Sequence, residues 1–231
     1  YREWSALKIL GRIYVAHEGI NAQLSVPKPH WKAFQKKLEA HPELKTMVFK
    51  EAVEDGGSFW KLAIKVKNQI VADGLKPHDY DVTNVGQHLT AQEFNQAMEQ
   101  SGTVVVDMRN DYESRIGRFE RALCPQVDTF EEALPTVKGL LKGKKDKRIL
   151  LYCTGGIRCE KTSAYLKAQG FKDVNQLHGG IIQYAHEVKR KNLPCRFKGA
   201  NFVFDGRMSE RVTDDVLTTC DQCDQLCDTY V

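Results

Sequence analysis

The chain has 231 residues, 42% of them hydrophobic and 28% charged, with a net charge of +4; this suits one large or two small domains and is far from a disordered composition. A mean hydropathy of −0.46, with no apolar run approaching about 18 residues, excludes a membrane-spanning helix, and the slight basic excess permits an anionic partner without demanding one. Seven cysteines, an odd number, run from Cys124 to Cys227. That pattern does not suit a disulfide-built secreted domain, so a reducing, cytoplasmic compartment is expected, where thiols serve chemistry or metals. No basic segment leading into an apolar one opens the chain, so no secretory leader is expected. The first residue is Tyr1 rather than Met, and a further segment is expected upstream.

Arg2 to Ile9 reads as the tail of a helix and Arg12 to Ala16 as a strand. His17, Glu18 and Gly19 form a tight connection to a second strand over Asn21 to Val26. After Pro27 and Pro29, Trp31, Phe34 and Leu38 fall at helical spacing. Trp60, Leu62, Ile64 and Val66 alternate along a run from Phe59, which predicts a half-buried strand. Helix, strand, strand, helix, strand is a ferredoxin-like order without its first strand. That strand belongs in the middle of the sheet and is expected upstream of Tyr1, or replaced by Gln69 to Ala72. The module is assigned to residues 1–75, and a polar linker to 76–87.

Beyond the linker, strands and helices alternate. Thr90 and Glu93 form a capping box for a helix to about Gln100. Buried strands are expected at Thr103 to Asp107, Arg148 to Tyr152 and Val174 to Leu177. A helix from about Arg158 ends at Gly170, and Gly179 and Gly180 open another toward Lys191. This alternation predicts a parallel sheet covered by helices on both faces, over residues 88–195. The remainder, 196–231, has no clear periodicity and is expected to be a truncated tail.

The sharpest chemical signal is Tyr152-Cys153-Thr154-Gly155-Gly156-Ile157-Arg158-Cys159, between a buried strand and a helix. Ligands of open α/β sheets bind at the carboxyl ends of strands, where Cys153 falls. Consecutive glycines let main-chain N–H groups converge, and with the helix start they form an anion nest. A thiol held there beside Arg158 has its pKa lowered, and the same cradle stabilises a persulfide. Four residues separate Cys153 from Arg158, a ring too tight for the phosphate that related phosphatases hold. Cys159 is either a resolving thiol or core packing. Asp107, Arg109 and Glu113 end or follow a strand beside the loop, and either brace it or form an ordinary strand-end ion pair.

Residues from about His88 to Lys191 resemble a rhodanese domain. The wider pattern resembles the rhodanese-containing tRNA uridine hydroxylases. It comprises Gly11-Arg-Ile-Tyr-Val-Ala-His-Glu-Gly-Ile-Asn21, Asp107-x-Arg-Asn-Asp-Tyr-Glu113, Cys153-Thr-Gly-Gly-Ile-Arg-Cys-Glu-Lys161, Gly179-Gly-Ile-Ile-Gln-Tyr184 and Asn201-Phe-Val-Phe-Asp205. The resemblance implies hydroxylation of the wobble uridine (position 34) of tRNA to 5-hydroxyuridine. Molecular oxygen would be the co-substrate, Cys153 the catalytic or persulfide-bearing thiol, Thr154 to Cys159 its cradle, and Arg158 the group that orients the anion. No dinucleotide fingerprint or other cofactor signature stands out. A plain sulfurtransferase using thiosulfate or a persulfide shares the whole active loop, and a non-catalytic rhodanese binding module is a third reading that the intact Cys153 and Arg158 disfavour.

Two basic groups are candidates for tRNA phosphates: Lys144, Lys145 and Lys147, and Lys189, Arg190 and Lys191. A charge run is equally a solvated face. Cys220, Cys223 and Cys227 form half of a zinc knuckle, one ligand short of a closed structural site. No membrane partner is expected, and the sequence is silent on oligomeric state.

Overall fold

The computed structural model describes residues 1–45, 47, 49–52, 57–75 and 79–228, and the chain divides into two units that are considered separately. The first holds α1 (Arg2–Ala6), β1 (Leu10–Ala16), β2 (Gly19–Ser25), α2 (Trp31–Glu39) and β3 (Leu62–Val66). β1 lies in the centre, antiparallel to β2 and parallel to β3, with Ile13 opposite both Ala22 and Ile64. Strand alternation sends Ile9 and Leu24 to one side of this sheet, where they pack on Phe34 and Leu38 of α2 and on Trp4 and Leu7. The expected central gap is absent, because β1 and β3 pair directly. Gln69 to Ala72 forms no strand.

The predicted burial of the third strand is corrected. Leu62 is buried, but Trp60 is 91% and Val66 86% exposed. Both helices gather at the Ile9 and Leu24 end of the sheet, which leaves Val15, Ile64 and Val66 beyond their reach. The His17–Glu18 turn has a structural job, since the Glu18 carboxylate accepts the N–H of Ile70 at 2.6 Å.

The second unit contains β4 (Gln87–Leu89), α3 (Ala91–Glu99), β5 (Val104–Asp107), α4 (Asp111–Ile116), β6 (Gly117–Phe119), α5 (Phe130–Leu140), β7 (Arg148–Tyr152), α6 (Ile157–Ala168), β8 (Asp173–Leu177), α7 (Gly180–Lys191), β9 (Phe197–Phe202) and β10 (Ser209–Arg211). Strands β4, β8, β7 and β5 form a parallel sheet in that spatial order. Alternation along β7 assigns its side chains to two cores. Ile149, Leu151 and Cys153 join residues of α5 and α6, whereas Leu150 and Tyr152 join residues of α3 and α7. β9 pairs antiparallel with β6 and with β10. The segment expected to be an aperiodic tail therefore begins as ordered strand, with Phe197, Ala200, Asn201 and Phe202 buried.

Residues 76–78 of the expected linker lie outside the described residues. Just before them, Asp73 is buried and its carboxylate accepts from Tyr80 Oη at 2.8 Å and from Lys161 Nζ on α6 at 3.0 Å. This end of the segment is anchored to α6.

The capping box of α3 forms as predicted, with Thr90 Oγ1 accepting the Glu93 N–H and the Glu93 carboxylate accepting the Thr90 N–H. Thr90→Ala should lower unfolding free energy by about 1 kcal/mol, read as a fall in the urea midpoint with an unchanged slope.

Candidate active site

Cys153 follows the last residue of β7, and α6 starts four positions later with Gly156 as its N-cap at φ +99°. A left-handed residue there turns the chain so that the first-turn amides face back toward the strand end. The Gly156 N–H donates to Cys153 Sγ at 3.1 Å, and the N–H and thiol of Cys159 donate to it as well. Burial alone would push this thiol up. The Cys159 thiol, the positive charge of Arg158 and the amides of Cys159 and Gly156 outweigh burial and bring Cys153 down from 9.0 to about 5. Cys159 moves the other way, raised by burial and by its hydrogen bond to Cys153. Both cysteines have 0% exposure and lie in the α5/α6 core.

A second glycine pair, which the sequence reading placed at a helix start without a site role, supports the loop from behind. Ile181 N–H donates to Cys153 O at 3.0 Å and Ile182 N–H to Thr154 O at 3.2 Å. Gly180 sits at φ +67°, and a Cβ on it would fall 2.5 Å from Cys153 O and 2.6 Å from Thr154 O. The start of α7 thus occupies the loop's carbonyls and leaves its amides for the sulfur. The signal was the glycine doublet itself, immediately after a strand.

Arg158 is engaged by Glu113 and by Thr154 of the loop. Its guanidinium makes a two-point pair with Glu113, Nη1 to Oε1 at 2.5 Å and Nη2 to Oε2 at 2.8 Å, and Nη2 also donates to Thr154 Oγ1 at 3.3 Å. Glu113 is fully buried and is fixed by α4, where its carboxylate accepts the Asn110 N–H at 3.0 Å. Burial would raise its pKa, but Arg158 holds it below the usual carboxylate value. Thr154 completes the group, its single hydroxyl proton shared between Glu113 Oε2 at 3.2 Å and Phe202 O at 3.4 Å. Arg158 therefore acts on the sulfur through its charge.

Asp107 and Arg109 sit below the loop. Their side chains pair at 2.6 Å with 0% exposure, and Arg109 also donates to Gly117 O at 2.5 Å. The guanidinium lies 5.6 Å from the Tyr152 ring centre, and Met108 N–H donates to Tyr152 O at 2.9 Å. The pair secures the residue before Cys153.

The two basic groups are placed elsewhere. Lys144, Lys145 and Lys147 precede β7, about 17 Å of strand from its cysteine end. Lys189, Arg190 and Lys191 form the last turn of α7, about 18 Å from the end that meets the loop. There they complement the helix C-terminus, and Lys191 pairs with Glu187 at 3.2 Å. Cys220 and Cys223 share a hairpin in which the Gln222 and Cys223 amides lower the Cys220 thiol. Among the described residues, however, no three His, Cys, Asp or Glu side chains stand together to hold a metal. The residues present do not fit a zinc site. Likewise, no described helix is long and apolar enough to cross a membrane.

Residues 1–70 match the family described as UPF0176 acylphosphatase like domain, 90–187 the Rhodanese-like domain, and 198–231 the Rhodanase C-terminal family. A tRNA uridine(34) hydroxylase of Leptospira interrogans is 57% identical over all of this chain and 63% of its own length. One from Hamiltonella defensa is 48% identical, again over the whole chain and 66% of the relative. The chain thus spans just under two thirds of the length of these curated relatives. A crystal structure of a rhodanese-like domain protein from Staphylococcus aureus aligns with 42% of this chain and 90% of its own at 25% identity, with a TM-score of 0.35.

Two measurements test the arrangement. A thiol whose folded pKa lies near 5 and unfolded value near 9 adds stability that is complete above pH 9 and lost as pH falls through 5. The stability of wild type relative to Cys153→Ser should therefore rise between those limits, and a flat difference in urea unfolding would show a neutral thiol. Glu113→Ala leaves Arg158 buried without its carboxylate, and unfolding free energy should drop by about 3–5 kcal/mol.

Proposed function

The chain belongs to the rhodanese-containing tRNA uridine hydroxylase family, and from that premise we propose that the whole protein hydroxylates the wobble uridine of tRNA at C5. Molecular oxygen is the co-substrate, and the reaction takes place in the cytoplasm. The observation that carries this reading is the Cys153 sulfur, its pKa lowered against its burial by the Cys159 thiol, the Arg158 charge and the Cys159 and Gly156 amides at the start of α6. A thiolate so placed offers nucleophilic addition to an electron-poor ring carbon, or carriage of a sulfane sulfur as a persulfide. Cys153 is the catalytic residue. Gly156 and Cys159 stabilise its charge, while Arg158, Glu113 and Thr154 set the field and shape of the loop. Asp107 and Arg109 fix the strand end beneath it. The substrate base needs little unstacking, because an anticodon wobble base is already largely single-stranded.

Transfer of sulfur from thiosulfate or a persulfide donor is the second reading, since the same cradle suits it. Nucleosides from tRNA of cells lacking the gene, rescued with wild type or Cys153→Ser, separate the two. Loss of 5-hydroxyuridine-derived nucleosides on deletion, restored by wild type and not by Cys153→Ser, is the expected result by mass spectrometry. Unchanged nucleosides together with fast thiosulfate:cyanide transfer by the purified protein would replace hydroxylation with plain sulfur transfer.

A further inference from the structure

The N-terminal sheet carries both of its helices on one side. Its other side, formed by the alternate residues of β1, β2 and β3, presents Arg12, Tyr14, Asn21, Gln23 and Lys65, with Lys67 just past the end of β3. The strand register puts Tyr14 opposite Asn21 on one neighbour and Lys65 on the other. The Tyr14 ring is flanked by two cations, with the Arg12 guanidinium 5.6 Å and the Lys67 ammonium 5.5 Å from its centre. Arg12 is fixed by bonds to Gln23 Oε1 at 2.8 Å and Phe204 O at 3.2 Å, whereas Lys65 and Lys67 are exposed. None of the strand residues on this side is Asp or Glu.

The geometry points to this helix-free face as a binding surface for single-stranded RNA, with Tyr14 the stacking platform and Arg12, Lys65 and Lys67 the phosphate contacts. The inference rests on the tRNA reading above and assigns to it a surface that the two basic sequence clusters did not indicate. An open sheet with an aromatic at its centre is a recurrent platform for unpaired bases, and neighbouring cations track the backbone between them. A base that stacks on Tyr14 displaces one of the two cations from the ring, and the displaced charge is then at hand for the adjacent phosphate. The amides of Asn21 and Gln23 offer hydrogen bonds to base edges without opposing the charge. An acidic protein would find the same cations but has no use for the ring as a stacking surface, so RNA is the better match.

The test titrates the full chain with an anticodon stem–loop RNA carrying uridine at the wobble position, and in parallel with fully paired duplex RNA. Tyr14→Ala should weaken stem–loop binding about five- to a hundredfold and leave duplex binding unchanged, because paired bases cannot stack on it. Tyr14→Leu, which keeps the bulk, should behave like Tyr14→Ala; wild-type affinity for it would overturn the stacking role. Lys65→Glu with Lys67→Glu should flatten the salt dependence of stem–loop binding by about 1.4 in log–log slope. If wild type binds the stem–loop and all these variants match it, the surface is wrong while the tRNA reading stands, and loss of binding in Lys144→Glu/Lys145→Glu/Lys147→Glu would place the contact there. If wild type binds no RNA, the tRNA reading falls and this inference with it. A concentration-dependent dimer abolished by Lys65→Glu/Lys67→Glu would reassign the face to self-association.

Discussion

A negative sulfur with no exposed surface is the constraint around which the second unit is arranged. Moving such a charge out of water costs several kcal/mol, so the fold must return that energy within a few ångströms. It does so with main-chain dipoles at the start of a twelve-residue helix and with the one nearby cation that the sulfur feels most, Arg158. That cation is buried too and would be as costly as the thiolate without Glu113. Glu113 is in turn held by the first turn of α4. The sequence of dependence runs from the Asn110 cap through Glu113 to Arg158 by hydrogen bonds of 3.0 and 2.5 Å, and from Arg158 to Cys153 by charge.

The period of the strand divides this labour. Tyr152 and Cys153 are neighbours on one chain but project into different cores. The reactive sulfur can be tuned on the α6 side while the strand end is immobilised on the other. There Phe119 meets Tyr152, Tyr184 and Phe197 edge-on, and Asp107 with Arg109 closes the polar end of the cluster. A change at Asp107 or Arg109 would therefore reach the sulfur through the backbone at Tyr152 and through their charges on Glu113, Arg158 and Cys159.

Much of this was legible in the sequence where local chemistry decides it. The Thr90–Glu93 capping box, the three buried parallel strands and the strand–Gly–Gly–helix loop around Cys153 are all local patterns. What escaped depends on contacts between distant segments. α5 carries Pro135 and Gly139 inside its helical span, residues that normally argue against a helix. β6 and β10 are three residues each, too short to show a period, and β9 is recognisable only through its pairing with β6. The pairing of Arg158 with Glu113, rather than with a ligand, joins residues 45 positions apart and has no local signature. The exposed Trp60–Val66 stripe failed for the opposite reason: a correct period does not say whether a helix lies above it.

The segment after residue 196 takes part in holding the loop. Every cradle group lies between Cys153 and Cys159, with support from Gly180 and Glu113. Yet Thr154, inside the loop, donates to Phe202 O, and the Phe202 ring packs on Tyr112 at 5.1 Å, one residue from Glu113. β9 thus touches both the loop and the helix that tunes it, while pairing with β6. A strand outside the loop therefore helps hold the groups that surround Cys153.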